Sequence, residues 1–120
     1  MLEIERETLP PGVNNLYWNI YGRGRVLTTQ ARQWRDEMQL LVRQAAMRRG
    51  LAWHRTTRLA VEIEVSSPRL WTFDLDGRLK LALDALAAGL GVDDRYIVQL
   101  QARKIRGPER LRIRAQEVPS

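Results

Sequence analysis

Alternation opens the chain. Across residues 2–8, Leu2 and Ile4 point one way and Glu3, Glu5 and Glu7 the other, which is the pattern of a strand with one wet face. "PPGVNN" breaks it, because two prolines cannot donate ladder hydrogen bonds. Residues 16–27, "LYWNIYGRGRVL", read as a short extended segment turning at "GRGR". The period then becomes helical. Ala31, Trp34, Met38, Leu41 and Ala45 form one stripe, Thr28 or Thr29 can cap its start, and Gly50 can stop it near Arg49. Alternation returns in "TRLAVEIEVS", residues 57–66, with Leu59, Val61, Ile63 and Val65 facing a core and Glu62 and Glu64 facing away. "SPRLWTF" reads as a loop or strand extension. A second helix is predicted over residues 75–88, capped by Asp74 or Thr72 and ended by Gly89. Residues 96–104 and 110–117 read as a hairpin joined by "RGPE", with Val98, Leu100, Ala102, Leu111 and Ile113 inward. The order β-loop-α-β-α-β-β predicts an α+β fold, a single domain over residues 1–120. Its sheet is expected to be mostly antiparallel or mixed, with two helices on one face.

A chain of 120 residues is one domain by length, with a modest core that a dimer would help to complete. It contains no cysteine, so disulfides, thiolate zinc sites and cysteine nucleophiles are excluded; this suits a cytoplasmic protein. The start, "MLEIERE", is acidic and has no long apolar run, so no signal peptide is expected. No segment approaches the ~18 apolar residues of a membrane span. The single histidine, His54, rules out a two-histidine metal site, and its setting in "LAWHRTT" suits a surface or packing role. Net charge is +6, and eighteen of the twenty cations are arginine. Arginine presents a planar fork that binds phosphate in bidentate fashion, which suggests a polyanionic partner. GC-rich coding bias accounts for the same excess.

Against this basic background, "WTFDLDGRLK" puts Asp74 and Asp76 two residues apart at the mouth of the second helix, with Lys80 one turn further on. Asp93 and Asp94 follow that helix directly. Magnesium is a hard cation that takes oxygen ligands, and phosphodiester cleavage uses it to activate water and stabilise the leaving oxygen. Caps and turns explain each aspartate singly, and a salt-bridge ladder explains Asp76, Lys80 and Asp84 at i, i+4, i+8. The two acidic pairs meet only if the strand after Asp94 lies beside the strand leading into Trp71.

At these residues the chain resembles the RusA family of Holliday junction resolvases, and the likeness covers nearly all of it. "LPPGVNNLYW" is similar to the family's N-terminal Pro-Pro-x-x-Asn signature. "GRGRVLTTQARQWRDEM" resembles its basic, glycine-containing approach to the first helix. "DLDGRLKLALDAL" followed by "GVDDRYIV" resembles its most specific part. The resemblance implies a small α+β homodimer that uses Mg2+ or Mn2+ to cut four-way branched DNA symmetrically. By position it implies metal-binding roles for Asp74, Asp76 and Asp94, a catalytic role for Lys80 and a supporting role for Asp93. Gly77 departs from the family's asparagine, removing a polar group beside the acidic pair.

Around that cluster, Arg23 and Arg25 can follow a DNA backbone from a flexible loop, and Arg69 can hold a phosphate beside the cut site. Trp71 and Phe73 can stack on unpaired bases, although Phe73 suits the core. Tyr17, Trp18 and Tyr21, within residues 14–27, can complete either a dimer contact or the monomer core. Arg110, Arg112 and Arg114 are expected to pair with Glu3, Glu5 and Glu7 across strands. Two rival readings stay open: a nuclease of this fold acting on forks or flaps, and a non-catalytic basic DNA-binding module.

Overall fold

The structure is a computed structural model that describes residues 1–12, 17–20 and 24–119, with 17–20 and 24–25 as backbone only. The first alternation forms β1 (Leu2–Arg6), burying Leu2 and Ile4. β2 (Tyr17–Ile20) and β3 (Gly24–Leu27) pair antiparallel as a separate two-stranded sheet. Thr28 caps α1 (Thr29–Arg48), its Oγ1 accepting from the Ala31 N–H at 3.1 Å. Gly50 lies just past the helix at φ +63°. The buried stripe is Ala31, Trp34, Met38 and Val42. Leu41, expected inward, is 40% exposed, because the second helix packs against Val42 and rotates the contact line away from it.

β4 (Leu59–Ser67) buries Leu59, Val61, Ile63 and Val65, as its alternation requires. Two 3-10 turns, Leu70–Thr72 and Asp76–Arg78, then lead into α2 (Lys80–Leu90), which starts later and runs further than its periodicity predicts. Gly89 is not the stop. A Cβ there would lie 2.7 Å from Val42 Cβ and 2.8 Å from the Gln39 carbonyl, so Gly89 lets the two helices touch. Gly91, in the left-handed region at φ 70°, ends the helix instead.

β5 (Ile97–Arg106) and β6 (Arg110–Glu117) complete the main sheet, whose order is β1-β6-β4-β5. β6 is antiparallel to both β1 and β4, while β4 and β5 are parallel. The expected β5–β6 hairpin is therefore not formed, and the two strands flank β4. The strand richest in buried apolar residues takes a central place, and β5, with Gln99, Gln101 and Lys104, takes the edge. The link between them passes the end of β4, where Gly107 N–H donates to the Ser67 carbonyl at 3.3 Å. A Cβ on Gly107 would stand 2.9 Å from Ser66 Oγ. Leu111 and Ile113 are buried as expected, but Val98 and Leu100 are 55% and 43% exposed. Val98 falls at a register shift opposite Leu59/Ala60, and Leu100 has no strand beyond it to cover it.

Both helices cover one face of the main sheet. The other face is a mesh of ion pairs. Arg112 reaches Glu5 at 2.8 Å, Glu3 at 3.3 Å and Glu64 at 3.8 Å. Arg114 reaches Glu3 at 3.4 Å and Glu62 at 4.0 Å, Arg110 reaches Glu5 at 3.9 Å, and Arg103 pairs with Glu64. The cross-strand pairing expected of Glu3 and Glu5 is present; Glu7 lies beyond β1 and takes no part. Hydrogen bonds from Arg112 and Arg103 hold the Glu5 and Glu64 carboxyls below the usual range. This face sets four glutamates against four arginines, so the excess of +6 is carried by the rest of the molecule.

Gly89→Ala should lower stability by about 1–3 kcal/mol through overpacking against Val42. Urea unfolding should show a reduced midpoint at unchanged slope. An unaltered midpoint would mean that the helices do not meet at that residue.

Candidate active site

The segment between β4 and α2 is shaped by its own hydrogen bonds. Ser67 Oγ accepts from the Arg69 N–H at 3.1 Å. The Arg69 carbonyl then accepts from Thr72 N–H at 3.2 Å and from Thr72 Oγ1 at 2.7 Å. Phe73 is extended, and the chain turns again through Asp76–Arg78. Asp74 and Asp76 are both exposed on this segment. Neither is a cap. Leu79 occupies the N-cap of α2 and no side chain bonds the helix start, so the capping expected of Asp74 or Thr72 is absent. Among the described residues, neither carboxylate has a hydrogen-bond or ion-pair partner.

Asp93 behaves differently. It caps a 3-10 turn (Asp94–Tyr96), its Oδ1 accepting from Arg95 N–H at 3.1 Å and its Oδ2 from Arg95 Nε at 3.0 Å. The Arg95 side chain, aided by that backbone N–H, holds the Asp93 carboxyl below the usual range. Asp94 is exposed and makes no hydrogen bond or ion pair among the described residues, though its charge adds to the field that raises the Arg95 guanidinium.

The parallel pairing sets where these groups stand. Asp74 and Asp76 follow the C-terminal end of β4, and Asp93 and Asp94 precede the N-terminal end of β5. Ile97 pairs with Leu59, and Asp93 N–H donates to the Arg55 carbonyl at 2.9 Å, ahead of β4. β5 does lie beside β4, but because it runs parallel it carries the second acidic pair to the opposite end of α2. Eleven residues of helix separate the pairs by roughly 16 Å. Consistently, no three His, Cys, Asp or Glu residues stand close enough to hold a metal ion among the described residues.

Lys80 opens α2, exposed, 3.8 Å from Asp84 in an i, i+4 pair; Asp76 does not join a ladder. Arg69 is exposed, and its guanidinium has no partner among the described residues. Arg23 lies outside the described residues, and Arg25 is placed by its backbone in β3. Trp71 is 84% exposed, whereas Phe73 packs against the core. Trp34 is buried, its indole N–H donating to the Thr8 carbonyl at 3.4 Å. His54 is exposed in a turn, where its N–H donates to Thr57 Oγ1 at 2.9 Å.

Two residues at this site escape a reading of the sequence. Lys104 Nζ donates to the carbonyls of Leu70 and Phe73 at 2.8 and 2.7 Å. Arg78 Nη1 donates to the Pro10 carbonyl at 2.6 Å. Lys104 was detectable in principle, since it is a cation that continues the inward phase of Leu100 and Ala102. Nothing local marks Arg78, whose partner is 68 residues away.

The chain is thus a small α+β domain, basic overall, with exposed carboxylates at both ends of one helix. The family profile described as endodeoxyribonuclease RusA matches residues 8–116, and the chain belongs to that family. Membership brings endonuclease action on DNA junctions of the Holliday type. No individually curated protein matches the chain. Among the described residues, no helix is long and apolar enough to cross a membrane.

The depressed Asp93 carboxyl makes a signed prediction. Its contribution to stability is complete above its unfolded value and is lost as pH falls through the lower folded value. Asp93→Asn should therefore lie below wild type in urea midpoint near neutrality. The gap should close as pH falls from about 5 towards 2. A gap independent of pH would sever Asp93 from Arg95.

Proposed function

We propose that this chain is a divalent-metal-dependent endodeoxyribonuclease that resolves four-way DNA junctions as a homodimer by paired symmetric cuts. Asp74 and Asp76 of one subunit act in it with Asp94 of the partner subunit. The supporting observation is the division of the carboxylates. Asp93 is engaged by Arg95, while Asp74, Asp76 and Asp94 make no hydrogen bond or ion pair among the described residues, and all three fall within the span that the family profile matches. Their donor chemistry suits Mg2+ or Mn2+, which take hard oxygen ligands and commonly use one or two carboxylates together with substrate phosphate. A cation held there supplies Lewis acidity and charge neutralisation at the scissile phosphate. Because the two acidic ends lie a helix length apart in one chain, a three-carboxylate site calls for a second chain. A closed two-fold pair supplies two such sites at once, matching a substrate of approximate two-fold symmetry.

The remaining roles follow from reach and charge. Lys80, held among the described residues by one exposed ion pair worth little, can turn to a phosphate. Arg69 flanks the acidic segment, and Arg23 and Arg25 extend the contact along the DNA backbone. Trp71, exposed three residues before Asp74, can stack on bases opened at the branch point. The ion-paired sheet face, with no net charge, is left away from the DNA. A cytoplasmic location belongs to the same reading.

Asp74→Asn, Asp76→Asn and Asp94→Asn should each abolish cleavage of a four-way junction while leaving its binding intact or tighter. Linear duplex and fork substrates, with and without Mg2+, serve as controls. Mixing inactive Asp74→Asn and Asp94→Asn subunits should restore single nicks, since a mixed dimer keeps one intact shared site. If the mixture stays inactive while each variant still dimerises, the shared-site arrangement is wrong. Retention of cleavage by all three variants would remove the nuclease assignment of these residues.

Lys80→Ala should lower turnover on the order of a hundredfold with little loss of junction binding, and Lys80→Arg should recover only part of it. Single-turnover cleavage beside a binding titration reads both. Wild-type turnover in Lys80→Ala would return the residue to its pairing with Asp84.

A further inference from the structure

The segment that carries Asp74 and Asp76 is gripped by two cations that have no place in the chemistry above. Lys104 sits on the edge strand at an inward-facing position, opposite Val65. Apolar residues fill this phase along β4, so a lysine here needs a destination for its charge. It finds one above the end of the sheet. Its two carbonyl acceptors, Leu70 and Phe73, bracket the first 3-10 turn, so a single ammonium closes that turn from outside. Nζ also lies 4.9 Å from the Phe73 ring centroid and 5.5 Å from that of Trp71. Arg78 adds a second grip, with Cζ 5.1 Å from the Phe73 centroid and Nη1 on the Pro10 carbonyl. Pro10 is itself fully buried. Phe73, the residue before Asp74, is thus tied through one cation to β5 and through the other to the proline segment after β1.

Residue type supports a specific role for Lys104. Two carbonyls converge on one nitrogen at 2.7 and 2.8 Å, which suits a compact ammonium with freely directed donors. A guanidinium is larger and holds its donors in one plane, so it fits two converging carbonyls flanked by two rings less well. Eighteen of the twenty cations in this chain are arginine, yet lysine stands here.

We propose that Lys104 is a positioning residue for cleavage, which with Arg78 clamps Phe73 and so sets the backbone from which Asp74 and Asp76 project. This rests on the reading of Asp74 and Asp76 as part of the cutting site. Misplacement of a reacting group by about 1 Å can cost a hundredfold in rate, so a loosened clamp acts on turnover before binding.

The absence of cysteine allows a direct test. In Lys104→Cys, alkylation with 2-bromoethylamine rebuilds a side chain of lysine length ending in an ammonium. Alkylation with iodoethane gives a neutral control. Lys104→Cys and its ethylated form should lose about tenfold to a hundredfold in kcat on a four-way junction, with junction Kd little changed. Amide hydrogen exchange should quicken over residues 70–79 and stay as in wild type over α1 and β6. Aminoethylation should restore both readouts. Arg78→Gln, which removes the second grip without touching β5, should change both in the same direction. Unchanged kcat and exchange in Lys104→Cys, or losses that aminoethylation does not reverse, would overturn the proposal. So would a general rise in exchange across the fold. If the wild-type protein cuts no junction, the nuclease reading fails by itself, and a local, reversible change in exchange still decides whether the clamp exists.

Discussion

The parallel pairing of β4 with β5 constrains most of this molecule. Two parallel strands cannot be joined by a tight turn, so the chain must cross the sheet and return, and α2 makes that crossing. Three consequences follow. The acidic residues before α2 and those after it lie at opposite ends of the sheet. β5 is left at the edge with its apolar residues half covered. The C-terminal half of β5 arrives beside the segment that leaves β4, which allows Lys104 and Arg106 to bond the backbone of residues 68–73. The separation of the carboxylates and the bracing of one carboxylate pair therefore share one topological cause.

Charge is partitioned along the same architecture. On the open sheet face, the strand registers bring glutamate opposite arginine, and the pairs satisfy one another. Exposed pairs of this sort contribute modestly to stability, but they consume charge that would otherwise attract a polyanion. The positive excess is left to the loops and helices. Within that basic remainder, Asp74, Asp76 and Asp94 keep their oxygen lone pairs unengaged by any described residue. A carboxylate that neither caps nor pairs adds little to folding; what it retains is the capacity to bind a ligand. Asp93, one residue from Asp94, shows the opposite use of the same side chain, its oxygens engaged by Arg95.

The irregular backbone of residues 70–78 needs support from outside that segment, because two short 3-10 turns carry few hydrogen bonds of their own. Here the support is electrostatic and aromatic. Phe73 lies inward between Lys104 and Arg78, and Trp71, two residues earlier, is left in solvent. The alternation Trp-Thr-Phe places both aromatics on one side of an ideal strand. The 3-10 turn at Leu70–Thr72 breaks that phase and sends one ring outward.

Much of the fold was legible along the chain. Period-two alternation sets β1 and β4, because a strand with one wet face must bury every second residue, and Leu2, Ile4, Leu59, Val61, Ile63 and Val65 do so. The Thr28 cap and the stop at Gly50 mark α1, since helix ends leave orphan backbone groups that local residues must satisfy. The family likeness was also readable, being a feature of residue type and spacing. Strand partners were not. "RGPE" looks like a hairpin turn, and only competition for the apolar centre of the sheet decided that β5 and β6 would flank β4. Gly89 read as a stop and became a helix contact, because what a glycine is for depends on what approaches it. The separation of Asp94 from Asp74, and the reach of Lys104 and Arg78 to carbonyls 31 to 68 residues away, were likewise settled by tertiary structure. Local sequence encodes periodicity, capping and side-chain chemistry; strand direction and long-range contact arise only when the whole chain competes to bury its apolar surface.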